Sequence, residues 1–521
     1  MSSTSSRSRW PLFRIPPRGQ TEAGPRVLVP APSSPLSGIG AVGVGFRPEL
    51  AADLLSAPGA VDFVEVVAEA CFASPAARRE ASAIARIWPV VPHGVKLSLG
   101  SASGIDMDRA RRLGALCREL SAPVVSEHVA FVRGGGREIG HLTALPYTLE
   151  AARAVAKNVA AARRALPDIP LLLENAACTL RFPGDALGEG DFYAEVVART
   201  GCDLLLDVGN VYANAVNAGV DPAELLGSYP LERVAMIHIA GGVVEHGFYF
   251  DTHAHPVPAP VFDLLAQVVA RAGPLPILLE RDGDFPPFGE LAAEIATARA
   301  IARSAPSRPR LTPPTSAGPT PAEPTLAPTR PGLGLAPTRP GLPASRVALL
   351  QNSPDASPFE ASALAEVQAR VAELLTSPVD PPPEAVAPFD AGDVARSRAI
   401  LQRKRVDDAL PLLPRLSSHR EAAARLGVRC VEASPRAPSL TAVADALRIA
   451  AAAADDARLA PEAIVDRLLL RARFVGPAGD GSVRPRLLPF IRRERLPGGR
   501  VVWAIKGIGS SAEVRLIEPR R

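Results

Sequence analysis

The stretch IPLLLEN (169–175), followed after one helical interval by CDLLLDVGN (202–210) and then by VAMIHIAGG (234–242), decides how this chain folds. Each is a short apolar run bounded by turn residues and carrying a carboxylate or an imidazole near its end, the pattern of a strand buried on both faces. Working outward, VGVGF (42–46), VDFVEVV (61–67), IWPVVPH (87–93) and APVVSEH (122–128) precede them, and LPILLERD (275–282) follows. The intervals, such as MDRARRLGALCREL (107–120) and LEAARAVAKNVAAARRAL (149–166), place apolar residues at i, i+3, i+4 and i+7, as helices do when they lie against a sheet. Eight such alternations over 39–303 predict an α/β fold, a closed (β/α)8 TIM-type barrel. An open doubly wound sheet would have fewer strands and a glycine-rich phosphate turn, and no G-x-G-x-x-G opens a helix here.

The rest of the 521 residues is of a different character. With 55 prolines and 41 glycines the chain carries more of both than folded domains use, so part of it reads as spacer. Residues 1–38 read as a disordered leader, and 304–345, where APTRPGL occurs twice, as an extended Pro-rich linker. Beyond it, 346–521 reads as a smaller, mainly helical C-terminal domain. It opens with PFEASALAEVQARVAELL (358–375), continues with helical stretches around 391–413, 418–427, 439–456 and 461–472, and ends in a β-hairpin turning at Pro497-Gly498-Gly499. Residues 481–521 hold ten Arg or Lys against three acidic residues, which is a solvated basic face on the plain reading and a surface for an anionic partner on the sharper one.

A formal charge of +4 and only four lysines give little support for nucleic-acid binding. Five cysteines without a C-x-x-C pair suit a reducing compartment, so a cytoplasmic location is expected. No apolar run approaches the roughly 20 residues of a membrane span, and no membrane role is expected.

Seven of the eight histidines fall in the barrel region. His93 closes one strand pattern, Glu127 and His128 another, and Glu174, Asp207, His238 and Glu280 lie at the ends of the next four. The gaps from His93 through His128, Glu174, Asp207 and His238 to Glu280 are 35, 46, 33, 31 and 42 residues, each about one strand-helix unit. In a parallel barrel all carboxy-terminal strand ends meet around one mouth, so these groups should converge. Carboxylates at the ends of apolar strands are costly to bury unless something positive offsets them, and a cation is the simplest compensation. The run DTHAHPVP adds Asp251 and His253 as further ligands. His255 suits a ligand or a turn equally, His246 reads as solvated, and His141 is placed to line the mouth. One ion cannot use so many groups, whereas two or three ions bridged by carboxylates can. The nitrogen and oxygen set without thiolate suits iron, manganese or zinc.

The succession HGVKLSLG from His93, SEH at 126–128, LPYT at 145–148, LLLEN ending at Asn175, LLLDVGN ending at Asn210, IHIAGG from Ile237, DTHAHPV from Asp251 and LLERDG from Leu278 resembles the multinuclear non-haem iron-dependent oxidative enzymes, a family that includes the methanobactin biosynthesis oxidase. The resemblance covers about residues 40–302. It implies a barrel holding two or three Fe(II)/Fe(III) ions that uses O2 to modify cysteine residues of a ribosomally synthesised precursor peptide. It also implies His93, His128, Glu174, Asp207, His238, Asp251, His253 and Glu280 as iron ligands, and Glu174, Asp207 and Asn210 as the residues closest to the chemistry. Glu127 and Asn175 would support them from behind. One departure is visible: Glu69-Ala70-Cys71 stands where the family commonly has Glu-Asn-Tyr. Family members commonly work with a partner protein that presents the peptide, and LQRKRVDDALPLLPRLSSHREAAARLG (401–427) is faintly similar to such helical partners, which would make the C-terminal domain a fused one.

Two other readings stand beside this one. A divalent-metal hydrolase or isomerase of the xylose-isomerase-like barrel type gathers the same residue types at the same mouth. A non-catalytic metal-binding scaffold would instead have a coordinatively closed cluster. Cys71 and Cys178 lie near strand ends, but packing as small hydrophobes is the plainer role for all the cysteines.

Overall fold

The eight apolar runs become eight strands: β1 (Val42–Gly45), β2 (Phe63–Val67), β3 (Val90–Gly94), β4 (Val125–His128), β5 (Leu171–Glu174), β6 (Asp203–Asp207), β7 (Val234–Ile239) and β8 (Ile277–Leu279). In this computed structural model each pairs in parallel with the next, and β8 closes the barrel on β1 with Ile277 opposite Val42. The described residues are 36, 40–304, 358–434, 436, 440–477, 482–509 and 513–517. The leader expected over 1–38 and the linker expected over 304–345 lie outside them, apart from Leu36 and Ser304.

Side chains along a strand alternate between the barrel lumen and the surrounding helices. The lumen floor is apolar: Phe63, Val91, Leu172, Leu205, Met236 and Leu278 belong to one buried cluster. Two positions further along the same strands stand Glu65, His93, Glu174, Asp207, His238 and Glu280. A polar layer is therefore stacked on an apolar one, six of the eight strands contributing one residue to each. Glycine at 43 makes the floor possible, because a Cβ there would lie 2.6 Å from the Phe63 ring.

The intervening helices start on side-chain caps. Asp106 accepts from the amides of Asp108 and Arg109, and Thr148 from Ala151. Two hairpins rise from the carboxy-terminal rim, Phe131–Gly134 with Arg137–Thr143 after β4 and Val243–Glu245 with Phe248–Phe250 after β7.

Beyond the linker the chain is helical, over Pro358–Thr376, Ala391–Ala409, Arg420–Glu432, Thr441–Ala453 and Ala460–Arg473. It ends in the expected hairpin, Phe490–Arg495 against Val501–Lys506, extended by a third antiparallel strand, Val514–Ile517. Three apolar clusters are present among the described residues of this region, the third being Val465, Leu468, Ala472, Leu496, Val502 and Ala504 between the last helix and the terminal strands. Leu364, Val371, Leu374, Phe389, Val394 and Leu401 join the core of the barrel, whereas Leu413, Leu416, Ala446, Ile449 and Leu459 form a second one. No helix among the described residues is long and apolar enough to cross a membrane.

The first two of these helices stand on the barrel rim. Gln368 donates to the Gly100 carbonyl at 2.7 Å and accepts from the Ala102 amide at 2.8 Å. Gly134 lets the helix approach, since a Cβ there would meet the Gln368 carbonyl oxygen at 2.2 Å. Ser397 donates to the Thr179 carbonyl, Arg436 to that of Ile139, and Arg403 pairs with Glu245. Replacing Gln368 by Leu removes the side-chain partner of a buried carbonyl and of a part-buried amide, so Gln368→Leu should destabilise the protein by about 1–3 kcal/mol in denaturant unfolding. A change within a few tenths of a kcal/mol would mean that this contact does not hold the helix to the barrel.

Candidate metal centre

Strand ends bring the chemistry-bearing atoms to one place. The Glu174 Oε2 lies 3.4 Å from His93 Nε2 and 3.3 Å from His128 Nε2, and its Oε1 lies 3.1 Å from His238 Nδ1. Glu280, directly after β8 and three strands further round the rim, has its Oε2 3.6 Å from His238 Nδ1 and 3.1 Å from His253 Nδ1. His253 Nε2 in turn meets Asp251 Oδ2 at 2.7 Å. Within this cluster His93, His128 and Glu174 form one buried group with ligand atoms no more than 4.8 Å apart; Glu174, Asp207, His238 and Glu280 form a second, and Glu65, His93 and Glu280 a third. All eight residues that the sequence singled out as ligands are thus drawn together.

The surrounding hydrogen bonds orient these groups. His93 Nδ1 faces Ser126 Oγ at 2.9 Å, and His128 Nδ1 faces the Gly94 carbonyl at 3.3 Å. Asn175 clamps β6 by donating to the Asp207 carbonyl at 2.9 Å and accepting from the Asp207 amide at 2.8 Å. Asp207 caps the helix that follows it, its Oδ1 accepting from the Asn210 amide at 2.8 Å, and Asn210 Nδ2 donates to the Asn175 carbonyl at 2.9 Å. Glu127 is spent on backbone, accepting from Leu97 and His128 amides. His253 has a left-handed backbone (φ 54°), and its carbonyl accepts from the Asp282 amide at 2.7 Å.

These residues fit a cation. Glu65 Oε2, Glu174 Oε2, Asp207 Oδ2, Asn210 Oδ1, Asp251 Oδ1 and both ring nitrogens of His238 are buried without a hydrogen-bond partner, a concentration of orphaned donors and acceptors that folded proteins avoid unless something else satisfies them. Burial pushes the Glu174 carboxyl up to about 8, with the Glu280 and Asp207 charges adding to it. Burial and the nearby Asp251 push Asp207 up to about 7. Burial drives His128 down to about 4 and His93 well below its ordinary value, with His128 adding to the effect on His93. Burial would raise Glu280 as well, but His238 and His253 outweigh it and hold this carboxyl well below the usual range.

Sequence reasoning missed Glu65. It stands on β2 in the middle of an apolar run, and the signal that would have found it is its place two residues after Phe63 on the lumen side. Arg47 was also missed; its Nε lies 3.0 Å from Asp282 at the edge of the cluster. His141 is half-buried on the hairpin after β4, where burial, Lys404 and His128 push it down to about 3. His255 bonds Thr252 Oγ1 at 2.8 Å and falls in none of the ligand groups found among the described residues. His246 is exposed at a hairpin turn. Cys71 and Cys178 are packed, and burial pushes their thiols up to about 11 and 12.

Residues 41–303, just over half of the chain, match the family described as RiPP precursor modification enzyme MbnB/TglH/ChrH. The chain belongs to this family. A UPF0276 protein of Streptomyces avermitilis is 42% identical over 273 residues, a match that spans 51% of this chain and only 56% of that relative. A UPF0276 protein of Caulobacter vibrioides is 41% identical over 260 residues, spanning 50% of this chain and 92% of the relative. Among solved structures, endonuclease IV from Thermus thermophilus is similar at 20% identity, covering 51% of this chain and 100% of that one with a TM-score of 0.35. A xylose isomerase-like TIM barrel protein from Mycobacterium smegmatis is similar at 16% identity, covering 51% and 96% with a TM-score of 0.34. In this MbnB/TglH/ChrH member the Glu69-Ala70-Cys71 departure leaves Glu69 accepting from the Val95 amide, while Cys71 packs into the core.

Glu174 and Asp207 have folded-state values raised from 4.5 and 3.8 to about 8 and about 7, so the metal-free protein keeps their contribution to stability at acid pH and loses it as pH rises through those values. The metal-free protein should therefore melt at a lower temperature at pH 8.5 than at pH 6. Bound divalent metal should reverse the trend, because deprotonated ligands bind it better. Identical pH dependence of melting with and without metal would contradict this account of the cluster.

Proposed function

We propose that this chain binds two or three iron ions across the barrel mouth and, with O2, oxidatively modifies cysteine residues of a ribosomally synthesised precursor peptide. The observation that carries the reading is the sharing of Glu174 between two groups of ligand atoms, in a chain whose family modifies such precursors. We assign His93, His128 and Glu174 to one ion and Glu174, Asp207, His238 and Glu280 to a second; Glu280, Asp251 and His253 would hold a third. Iron bound there would supply a Lewis acid toward a peptide thiol and redox equivalents toward dioxygen.

The protein's own part is positioning and exclusion of water. Glu174 and His238 are 1% and 0% exposed, while His128 and His253 side chains are 10% and 17% exposed, so the cluster is closed toward the floor and open on its outer side. A peptide cysteine would approach from that side, between the rim hairpins. Asn175 and Asn210 keep Asp207 fixed while Asn210 Oδ1 stays free of other partners. His141 and Lys404 stand at the outer rim, one from the barrel and one from the helix Ala391–Ala409.

We assign the C-terminal region to presenting the peptide. Its first two helices give residues from Leu364 to Leu401 to the barrel's core while Ala409 already belongs to the next one, so the cut that keeps the barrel's core whole falls after residue 409. A chain ending there should load iron and lose peptide affinity, measured by fluorescence anisotropy with a labelled precursor. Undiminished affinity would take this role from the region.

Glu174→Gln and Asp207→Asn should each lower iron content in anaerobically purified protein and abolish peptide turnover, with melting of the metal-free protein little changed. Full iron and full turnover in both would overturn the assignment. Zinc or manganese as the native metal, with no O2 consumed, would favour a hydrolase or isomerase instead.

A further inference from the structure

We infer that Glu65 is the outer partner of His238, the carboxylate that determines which nitrogen of that ring faces the metal cluster. The inference rests on the metal-holding reading of the mouth and on nothing about the peptide or the oxidation. A metal-binding imidazole gives one nitrogen to the ion and its other N–H to an acceptor behind it, which selects the tautomer and strengthens the ligand.

Two of the buried histidines show this division plainly. His93 turns Nε2 toward Glu174 and Nδ1 to Ser126 Oγ. His128 turns Nε2 toward Glu174 and Nδ1 to the Gly94 carbonyl. His238 is reversed. Its Nδ1 faces Glu174 and Glu280, and its Nε2 lies 3.2 Å from Glu65 Oε2. Both of those last atoms are buried and have no other hydrogen-bond partner among the described residues, and of the two imidazole nitrogens near Glu65 Oε2 that of His238 is the closer, at 3.2 Å against 3.9 Å for His93 Nδ1. Glu65 thus takes the place behind His238 that a serine hydroxyl and a backbone carbonyl take behind His93 and His128.

The competing role for Glu65 is that of a direct ligand beside His93 and Glu280. Its Oε2 is 3.9 Å from His93 Nδ1, the nitrogen already held by Ser126. The nitrogen His93 has free points to Glu174 instead, so an ion shared with Glu65 would have to break the Ser126 bond. Glu65 is also the one charged member among the three outer partners. The imidazole it backs should be the strongest donor of the three, and the ion beside His238 the slowest to leave.

The test uses the full-length chain loaded with Zn(II), which is diamagnetic. Nitrogen-15 spectra of histidine-labelled protein should show His238 bound through Nδ1 with the proton on Nε2; binding through Nε2 overturns the inference, and this measurement needs no variant to fold. Chelator competition should show that Glu65→Ala weakens the tightest zinc site by about 10–100-fold. Glu65→Gln, which keeps an acceptor oxygen, should lose less. Both should reach the wild-type zinc-to-protein ratio at saturation. A lower saturating ratio in either variant would make Glu65 a ligand in its own right, and unchanged affinity in Glu65→Ala would leave it no role; either result sinks the inference. Failure of the wild-type chain to take up zinc or iron would overturn the metal reading together with it, whereas zinc binding as described in a protein that oxidises no peptide would overturn only the proposed function.

Discussion

Carboxylates packed together out of water are the constraint from which the rest of this mouth follows. Glu65, Glu174, Asp207 and Glu280 are each at most 5% exposed and stand within one ring of strands. Even after relaxation, burying an ion costs several kcal/mol, and like charges side by side add to that. Protons and imidazoles offset part of the charge in the metal-free protein, which is why Glu174 and Asp207 hold their protons to near-neutral pH. Divalent cations offset it more completely, and the unpartnered oxygens and nitrogens converge where such ions would sit. The barrel makes the arrangement affordable in conformational terms. Most of these groups are carried on or directly after strands locked by their neighbours, and only Asp251 and His253 come from a loop.

Rigidity at the floor and openness at the rim divide the labour of the fold. Below the polar layer, the apolar residues of the lumen exclude water and fix the strand ends in height. Above it, the loops after β3 and β5 and the hairpins after β4 and β7 carry contacts from Gln368, Ser397, Arg403 and Arg436. The helices that make most of these contacts share the barrel's core, while the second helical core lies further along the chain. The region beyond the linker therefore holds three apolar clusters, and the helix Ala391–Ala409 bridges the first two, giving Val394 and Leu401 to the barrel's core and Ala409 to the next.

The eight strands were legible because both-face burial leaves a near-continuous apolar run with a turn on either side, as in IPLLLEN and CDLLLDVGN. The ligand positions at strand ends were legible for the same reason: a charge that closes such a run has to be compensated. Glu65 was not. It opposes Val91 in register, while Val67, at the end of β2, opposes His93, so reading only strand ends passes over it. Strand tilt and stagger decide which residue reaches the cluster, and these belong to the closed barrel as a whole. Arg47 and Asp282 are separated by 235 positions and carry no local pattern that pairs them. The same holds for Gln368, an ordinary glutamine on an amphipathic helix until the barrel rim supplies Gly100 and Ala102.

By itself, then, the order of residues determined the secondary structure, the closure into a parallel barrel and the identity of most groups at its mouth, because hydrophobic period and the penalty on buried charge act locally. Only the tertiary structure decided which nitrogen of each imidazole faces inward, which carboxylates are shared and where the C-terminal helices rest. Those outcomes depend on distances between segments remote in sequence, which are set when the sheet closes and its layers pack.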